Sequence, residues 1–289
     1  MSPRSVDVIV IGAGPAGLTA AAVVAAAGLS CVAVDRMGPG GQLMNLGDLV
    51  GVDDMAPGVM GPDLVGTLTE KAMEAGAELA IDEVARVAKA GSSWVVEGSD
   101  EAWSARVVVV ASGLTPGTTG LAGEARFEGQ GLSHCAHCDA PLYSGREVVV
   151  VGRDRWAVAE AVELAAYAGR VTLVTGDGAA LGSDEAASLG AFGNVETLAG
   201  TVTGLVGDGP LEAVDVTVGG RAMSVPASGL FLQCGRVPAL AFVGSDAAPG
   251  LILAGDVRDG AARTIAAAIA DGERAGREAV GLVGRAGSA

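Results

Sequence analysis

The stretch Ser133-His134-Cys135-Ala136-His137-Cys138-Asp139 holds two of the chain's four cysteines and both of its histidines. Thiols three residues apart can form a structural pair, half of a metal site or a redox centre. At the start of a helix they can close a small ring, and the helix dipole favours the thiolate. An imidazole between them, His137, would stabilise that thiolate and make the disulfide a stronger oxidant. Dithiol proteins span about 150 mV in this respect, or roughly 7 kcal/mol for two electrons. His134 would add a base for a substrate thiol. For each histidine the competing reading is a surface residue without a role. A metal is not expected: four ligand-type side chains crowded into residues 134–138 cannot all turn to one ion, and no second Cys-x-x-Cys or histidine pair completes a tetrahedron. Cys31 and Cys234 sit in apolar, strand-like runs, where a cysteine is a small buried hydrophobe.

Elements must position this heptapeptide, and 289 residues, half of them apolar, suffice for one large α/β domain or two smaller ones. The balance of 18 basic and 34 acidic residues, net −16, argues against nucleic acid and against an anionic membrane as partners. Four cysteines without regular spacing make no secreted disulfide framework, so a cytoplasmic setting is expected. The apolar run after Arg4 is expected to be neither signal peptide nor membrane span, because Asp7, Gly12, Gly14, Pro15 and Gly17 interrupt it.

That run reads instead as strand, glycine turn, helix, strand. Val6 to Ile11 suits a strand buried on both faces and leads into Gly12-Ala-Gly14-Pro15-Ala-Gly17. The first glycine allows the tight turn, the second lets a pyrophosphate approach, and the third lets the helix pack close to the strand. Asp35 ends the next strand, 18 residues after Gly17, where a carboxylate would accept ribose hydroxyls. The pattern predicts a dinucleotide site; the competing reading is a glycine-rich turn with no ligand.

Further motifs carry a resemblance. Gly38-P-G-G-Q-L to Leu43, Val107-V-V-V-A-S-G-L-T-P to Pro116, the approach G-E-A-R-F-E-G-Q-G-L to the cysteine pair, and Leu251-I-L-A-G-D-V-R-D to Asp259 follow in the order found in low-molecular-weight thioredoxin reductases and their flavoprotein relatives. Nearly the whole chain resembles that family. The resemblance implies an α/β fold of two doubly wound Rossmann-like domains, the second inserted in the first: an FAD-binding domain of residues 1–116 and 239–289, and an inserted NAD(P)-binding-like domain of residues 117–238 with the Cys-x-x-Cys pair. It implies FAD held by the first glycine turn and Asp35, by Gly41, Gln42, Leu43 and Asn45, and by Val84. Ser112, where a threonine is usual, and Gly113 would follow, then Gly255 and Asp256, and finally Thr264 and Ile265. It implies that Cys138 faces the flavin, that Cys135 meets the substrate sulfur, and that Asp139 is an acid or base beside them. A homodimer is implied as well.

A second strand-turn-helix unit begins at Arg146-E-V-V-V-V-G152, followed by the strand Gly169-R-V-T-L-V. Its turn, Gly152-Arg-Asp-Arg-Trp-Ala157, keeps only the first glycine; Trp156 and Asp154 stand where pyrophosphate would approach the helix N-terminus. Residues 171–220 contain no Lys or Arg for a 2′-phosphate. NADPH bound in the usual way is therefore not expected, although Asp177 would suit the 2′-hydroxyl of NADH, and Arg153 and Arg155 could hold phosphates from the side. The preferred reading is a dithiol oxidase that makes a disulfide through Cys135–Cys138 and FAD with oxygen as acceptor, acting on a small-molecule dithiol. The alternatives are a disulfide reductase serving a thioredoxin-like protein from NADH or ferredoxin, and a flavin-bearing redox sensor.

Overall fold

The computed structural model describes residues 3–45, 49, 58–177, 181–244 and 248–286. The chain divides into two compact units, Met1–Thr115 with Pro238–Ala289, and Pro116–Val237.

In the first unit β1 (Arg4–Ile11), α1 (Pro15–Ala26) and β2 (Cys31–Asp35) follow one another, then α2 (Gly61–Glu74), β3 (Glu78–Ile81), β4 (Val84–Ala90), β5 (Ser93–Gly98) and β6 (Ala102–Val110). β1 pairs in parallel with β2 on one side and β6 on the other. Val8, Ile9 and Val10 are buried on both faces, as a β-branched run in a central parallel strand requires. α1 is apolar all round because it lies inside a helical layer: Leu18, Ala20, Ala21 and Val24 are fully buried in one cluster with residues of α2.

The second unit opens after β7 (Leu114–Pro116). Here β8 (Leu132–Ser133), α3 (Ala136–Asp139), β9 (Glu147–Val151), α4 (Arg155–Ala165), β10 (Arg170–Val174), α5 (Ser183–Gly190) and β11 (Val195–Leu198) precede a meander of β12 (Thr201–Val206), β13 (Ala213–Val218) and β14 (Arg221–Pro226). β15 (Gly229–Leu232) and β16 (Arg236–Pro238) follow. Five parallel strands form a sheet in the order β11-β10-β9-β15-β8, and the meander forms an antiparallel sheet of its own. β8 is short because its task ends at Ser133, where the chain turns into α3. Ala136 of α3, Ala140 just after it, and Ala157, Ala161 and Leu164 of α4 are buried in one cluster. The four alanines let α4 run close beside the redox helix.

The chain then completes the first unit. β17 (Leu251–Leu253) pairs in parallel with the C-terminal half of β6, whose N-terminal half pairs with β5. α6 (Ile265–Ala286) packs on α1; a Cβ on Gly272 would lie 2.3 Å from the Ala16 carbonyl oxygen, so only glycine permits that approach. Among the described residues, no helix is long and apolar enough to cross a membrane.

Candidate active site

Cys135 and Cys138 are joined as a disulfide. Cys135 has extended backbone and caps α3, its Sγ accepting the Cys138 N–H at 3.2 Å. The Cys135 N–H in turn donates to Ser133 Oγ at 3.2 Å, and that hydroxyl donates to Asp139 Oδ2 at 2.7 Å. Asp139 is thus held at the foot of the pair. Cys138 is exposed and Cys135 half-buried, although the roles implied by the resemblance give the substrate to Cys135.

The histidines do not bond the sulfurs. His137 Nδ1 lies 3.0 Å from Glu163 Oε1, with its ring 79% exposed, so the imidazole expected to face a thiolate is held by a carboxylate instead. His134 Nε2 lies 2.9 Å from Glu128 Oε1, and its Nδ1 is buried without a partner among the described residues. A ring that donates through Nε2 leaves Nδ1 as the unprotonated nitrogen. Glu160, absent from the sequence reading, accepts the Ala136 N–H through Oε2 at 2.9 Å. Among the described residues, no group of three or more His, Cys, Asp or Glu is placed to hold a metal ion.

The two glycine turns differ at their helix N-termini. Gly12 has φ +99°, and a Cβ there would lie 2.4 Å from the Ala111 carbonyl oxygen. A Cβ on Gly17 would lie 1.9 Å from the Gly12 carbonyl oxygen, whereas one on Gly14 would meet nothing within 4 Å. Gly12 and Gly17 are therefore demanded by the fold, and Gly14 faces open space. Gly14 is also the N-cap of α1, with no side chain capping its amides. At the second turn, Asp154 caps α4: its Oδ1 accepts the Trp156 N–H at 3.1 Å and the Ala157 N–H at 3.0 Å. The amides that would meet an anion are already bonded to one. Trp156 is 55% exposed, and a cavity of about 310 Å³ is lined by Gly152, Arg153, Asp154, Thr175, Gln233 and Cys234 among others. Asp177, read as a ribose acceptor, takes the Thr201 hydroxyl at 2.9 Å. The Arg155 side chain lies outside the described residues.

The pyridine nucleotide-disulphide oxidoreductase family profile matches residues 6–272. The chain belongs to that family. It is 33% identical over 299 aligned residues to the thioredoxin reductase of Listeria innocua, covering 94% of this chain and 92% of that protein. Its fold superposes on the thioredoxin reductase of Lactococcus lactis with TM-score 0.78 at 25% identity, covering 97% and 99% of the two chains. A ferredoxin-flavin thioredoxin reductase of Clostridium acetobutylicum matches with TM-score 0.53 at 26% identity, over 98% and 99%. The chain is thus an FAD-dependent disulfide oxidoreductase of thioredoxin reductase-like type.

The first unit fits FAD as this family requires. The uncapped start of α1 and the room above Gly14 suit a pyrophosphate. Asp35 Oδ2 accepts the Ala13 N–H and Oδ1 the Met37 N–H, both at 2.9 Å, which ties the turn to the strand beside it and leaves each oxygen a further acceptor site. Gln42 is exposed and Leu43 buried, while the Asn45 side chain lies outside the described residues. Ser112 donates to the Ala239 carbonyl at 2.7 Å, just before Gly113 with φ +66°. The Val84 side chain packs against the sheet rather than into open space. Asp256 is half-buried; burial pushes its carboxyl above the ordinary range, and the nearby Arg263 pulls it back. Asp271 was not foreseen: its Oδ2 accepts the Gly255 N–H at 2.7 Å and its Oδ1 pairs with Arg258 and Arg274, fixing the turn that presents Asp256. Thr264 Oγ1 accepts the Ala267 N–H at 3.2 Å, which caps α6 beside Ile265.

Cys31 is the buried hydrophobe expected, and burial pushes its thiol up to about 12; Cys234 is only half-buried, lining the cavity near Arg153, and burial followed by the charge of Glu124 raises its thiol.

Proposed function

We propose that the chain is a disulfide reductase that passes two electrons through Cys135–Cys138 to the disulfide of a thioredoxin-like protein, from a donor other than NADPH. The observation that carries this is the Cys135–Cys138 disulfide at the start of α3, in a chain that aligns along 94% of its length with a thioredoxin reductase. When bound, FAD supplies the two-electron exchange with this disulfide. Two electrons and one proton convert the pair to a thiol and a thiolate. The thiolate attacks the partner's disulfide, forming a mixed disulfide and releasing one partner sulfur as thiolate, which takes a proton from water. The second cysteine, losing its proton, displaces the other partner sulfur and restores the Cys135–Cys138 bond. Asp139, held by Ser133, would exchange that proton.

The donor argument rests on α4. Its N-terminal amides are taken by Asp154, and the strand end that would carry 2′-phosphate ligands has no Lys or Arg from residue 171 to 220. NADH or reduced ferredoxin are the donors to test; against ferredoxin stands the net charge of −16, with Arg170 already paired to Glu196. Anaerobic mixing of the flavin-loaded protein with NADPH, NADH, reduced ferredoxin and dithiothreitol in turn, followed by addition of oxidised thioredoxin, tests both parts. We expect slow bleaching by NADPH and thioredoxin thiols from one of the other donors. Rapid bleaching at micromolar NADPH overturns the donor assignment, and failure to reduce thioredoxin after flavin reduction overturns the reductase.

The dithiol oxidase remains the second reading. What favours it is that both histidines beside the pair are held by carboxylates, Glu128 and Glu163, which fix their rings next to the redox stretch. What weakened it is that neither imidazole bonds a sulfur. Oxygen uptake with a small dithiol, faster than thioredoxin reduction, would select it. We further take the protein to be a cytoplasmic homodimer, which fractionation and sedimentation check.

A further inference from the structure

Glu160 stands where α4 meets the redox helix. Its Oε2 takes the N–H of Ala136, the residue that follows Cys135 and is itself fully buried. The Gln233 side chain hydrogen-bonds Glu160 and also reaches the His134 carbonyl at 3.4 Å. The two residues flanking Cys135 are thereby held by one carboxylate and one amide.

Among the described residues, the charges that act on this carboxylate come from its own helix and from β16. Glu163 lies one turn along α4 and is paired with His137. Arg236 acts from β16, the only cation that acts on Glu160 among the described groups. The redox stretch itself carries Asp139, bonded to Ser133, and His134, bonded to Glu128. Burial pushes the Glu160 carboxyl above the ordinary glutamate range; the Ala136 N–H and Gln233 oppose that, the charge of Glu163 adds to it, and Arg236 subtracts.

An amide at the first turn of a Cys-x-x-Cys helix is a donor that stabilises a thiolate. Here that amide is spent on a carboxylate, which also sets negative charge beside the position where reduction creates another. Like charges held in one cluster disfavour each other until one takes a proton. We propose that Glu160 is the positioning residue of the redox pair and takes up a proton when the pair is reduced. Two electrons from the reductant break the Sγ–Sγ bond; one sulfur takes a proton, the other remains a thiolate, and the Glu160 carboxylate takes a second proton from solvent. The charge of the cluster is then unchanged, and oxidation returns both protons. A protonated Glu160 still accepts the Ala136 N–H through its carbonyl oxygen, so the helix keeps its place in both states.

This rests on Cys135–Cys138 being redox-active, and its test separates the two. The midpoint potential of the pair is measured against pH by equilibration with dithiothreitol and its oxidised form, trapping free thiols for mass analysis, in wild type and Glu160→Gln. The glutamine retains an oxygen for Ala136 but cannot take the proton. Over the range in which the reduced pair carries one thiolate, two protons per two electrons in wild type against one in Glu160→Gln means that the slope of potential against pH halves. Parallel slopes overturn the proposal; a wild-type pair that does not equilibrate with dithiothreitol overturns the redox reading itself. Infrared difference spectra of wild type supply a check that no variant need fold for: reduction should bring up a protonated-carboxyl band, and its absence also overturns the proposal.

Discussion

His137 and Glu163 face each other across α3 and α4, Nδ1 to Oε1 at 3.0 Å, and the imidazole is spent on that carboxylate rather than on a sulfur. With the ring 79% exposed, the pair contributes at most about 1 kcal/mol. His137→Ala should therefore lower the stability by no more than about 1 kcal/mol and leave the potential of Cys135–Cys138 unshifted. Urea melts and a glutathione titration of the variant beside wild type measure both, and a lowered potential would show that the imidazole reaches the sulfurs once they are reduced.

Gly14 and Gly17 should separate cofactor binding from folding. Gly14→Ala places its methyl where nothing lies within 4 Å, so the melting temperature of the apoprotein should hold while FAD affinity falls. Gly17→Ala drives a methyl to 1.9 Å from the Gly12 carbonyl oxygen and should cost about 3 kcal/mol or more. Flavin absorbance and circular dichroism of the two variants give the comparison.

Much of this division was legible in the chain. The β-branched run of β1, the spacing of Gly12, Gly14 and Gly17, and the second strand-turn-helix unit at Glu147–Val151 encode the fold class through local rules: period, turn chemistry and helix start. The surroundings of the disulfide were not legible, because Glu160 and Glu163 lie 24 and 26 residues from Ala136 and His137 and meet them only through the packing of α3 on α4. A weak signal existed. Glu160 and Glu163 are three apart in a helix that is otherwise apolar after Arg155, hence on one face, and two acids on a packed face call for partners. Asp35 was read as a ligand for a ribose; a carboxylate at a strand end also lies beside the amides of the neighbouring turn, and Ala13 and Met37 donate to it.

Asp154→Ala should remove the cap of α4, costing about 1 kcal/mol in stability, and free the Trp156 and Ala157 amides. Since a fixed anion then no longer occupies the helix N-terminus, pyridine nucleotides should bind more tightly than to wild type. Thermal melts and nucleotide-dependent quenching of tryptophan fluorescence are the measurements; unchanged affinity would mean that the cap does not govern the pocket.

Asp82 should mark the acid limb of the stability curve. It is buried; burial opposes its ionisation, but the N–H groups of Glu101, Asp100 and Ser99 outweigh that and hold the carboxyl below the ordinary aspartate value. A group with a depressed folded value contributes fully above its unfolded value and loses that contribution as pH falls through the folded one. Asp82→Asn should therefore lose about 2 kcal/mol at neutral pH, and its deficit relative to wild type should shrink as the solution is acidified below the ordinary aspartate range. Urea denaturation across that pH series tests the sign.

The return of the chain through β17 and α6 sets an order for biosynthesis. Val108 to Val110 wait for Leu251 to Leu253, and the flank of α1 at Ala16 and Ala20 waits for Gly272 and Gly276. Residues 116–237, by contrast, carry every strand of their own parallel sheet and emerge from the ribosome well before those partners. The inserted unit can reach its native state while the outer one still shows an unpaired sheet edge and a bare helix flank. A nascent chain stalled before residue 251 would therefore hold a finished cysteine-bearing module and a sticky, half-built host that residues 251–283 have still to close.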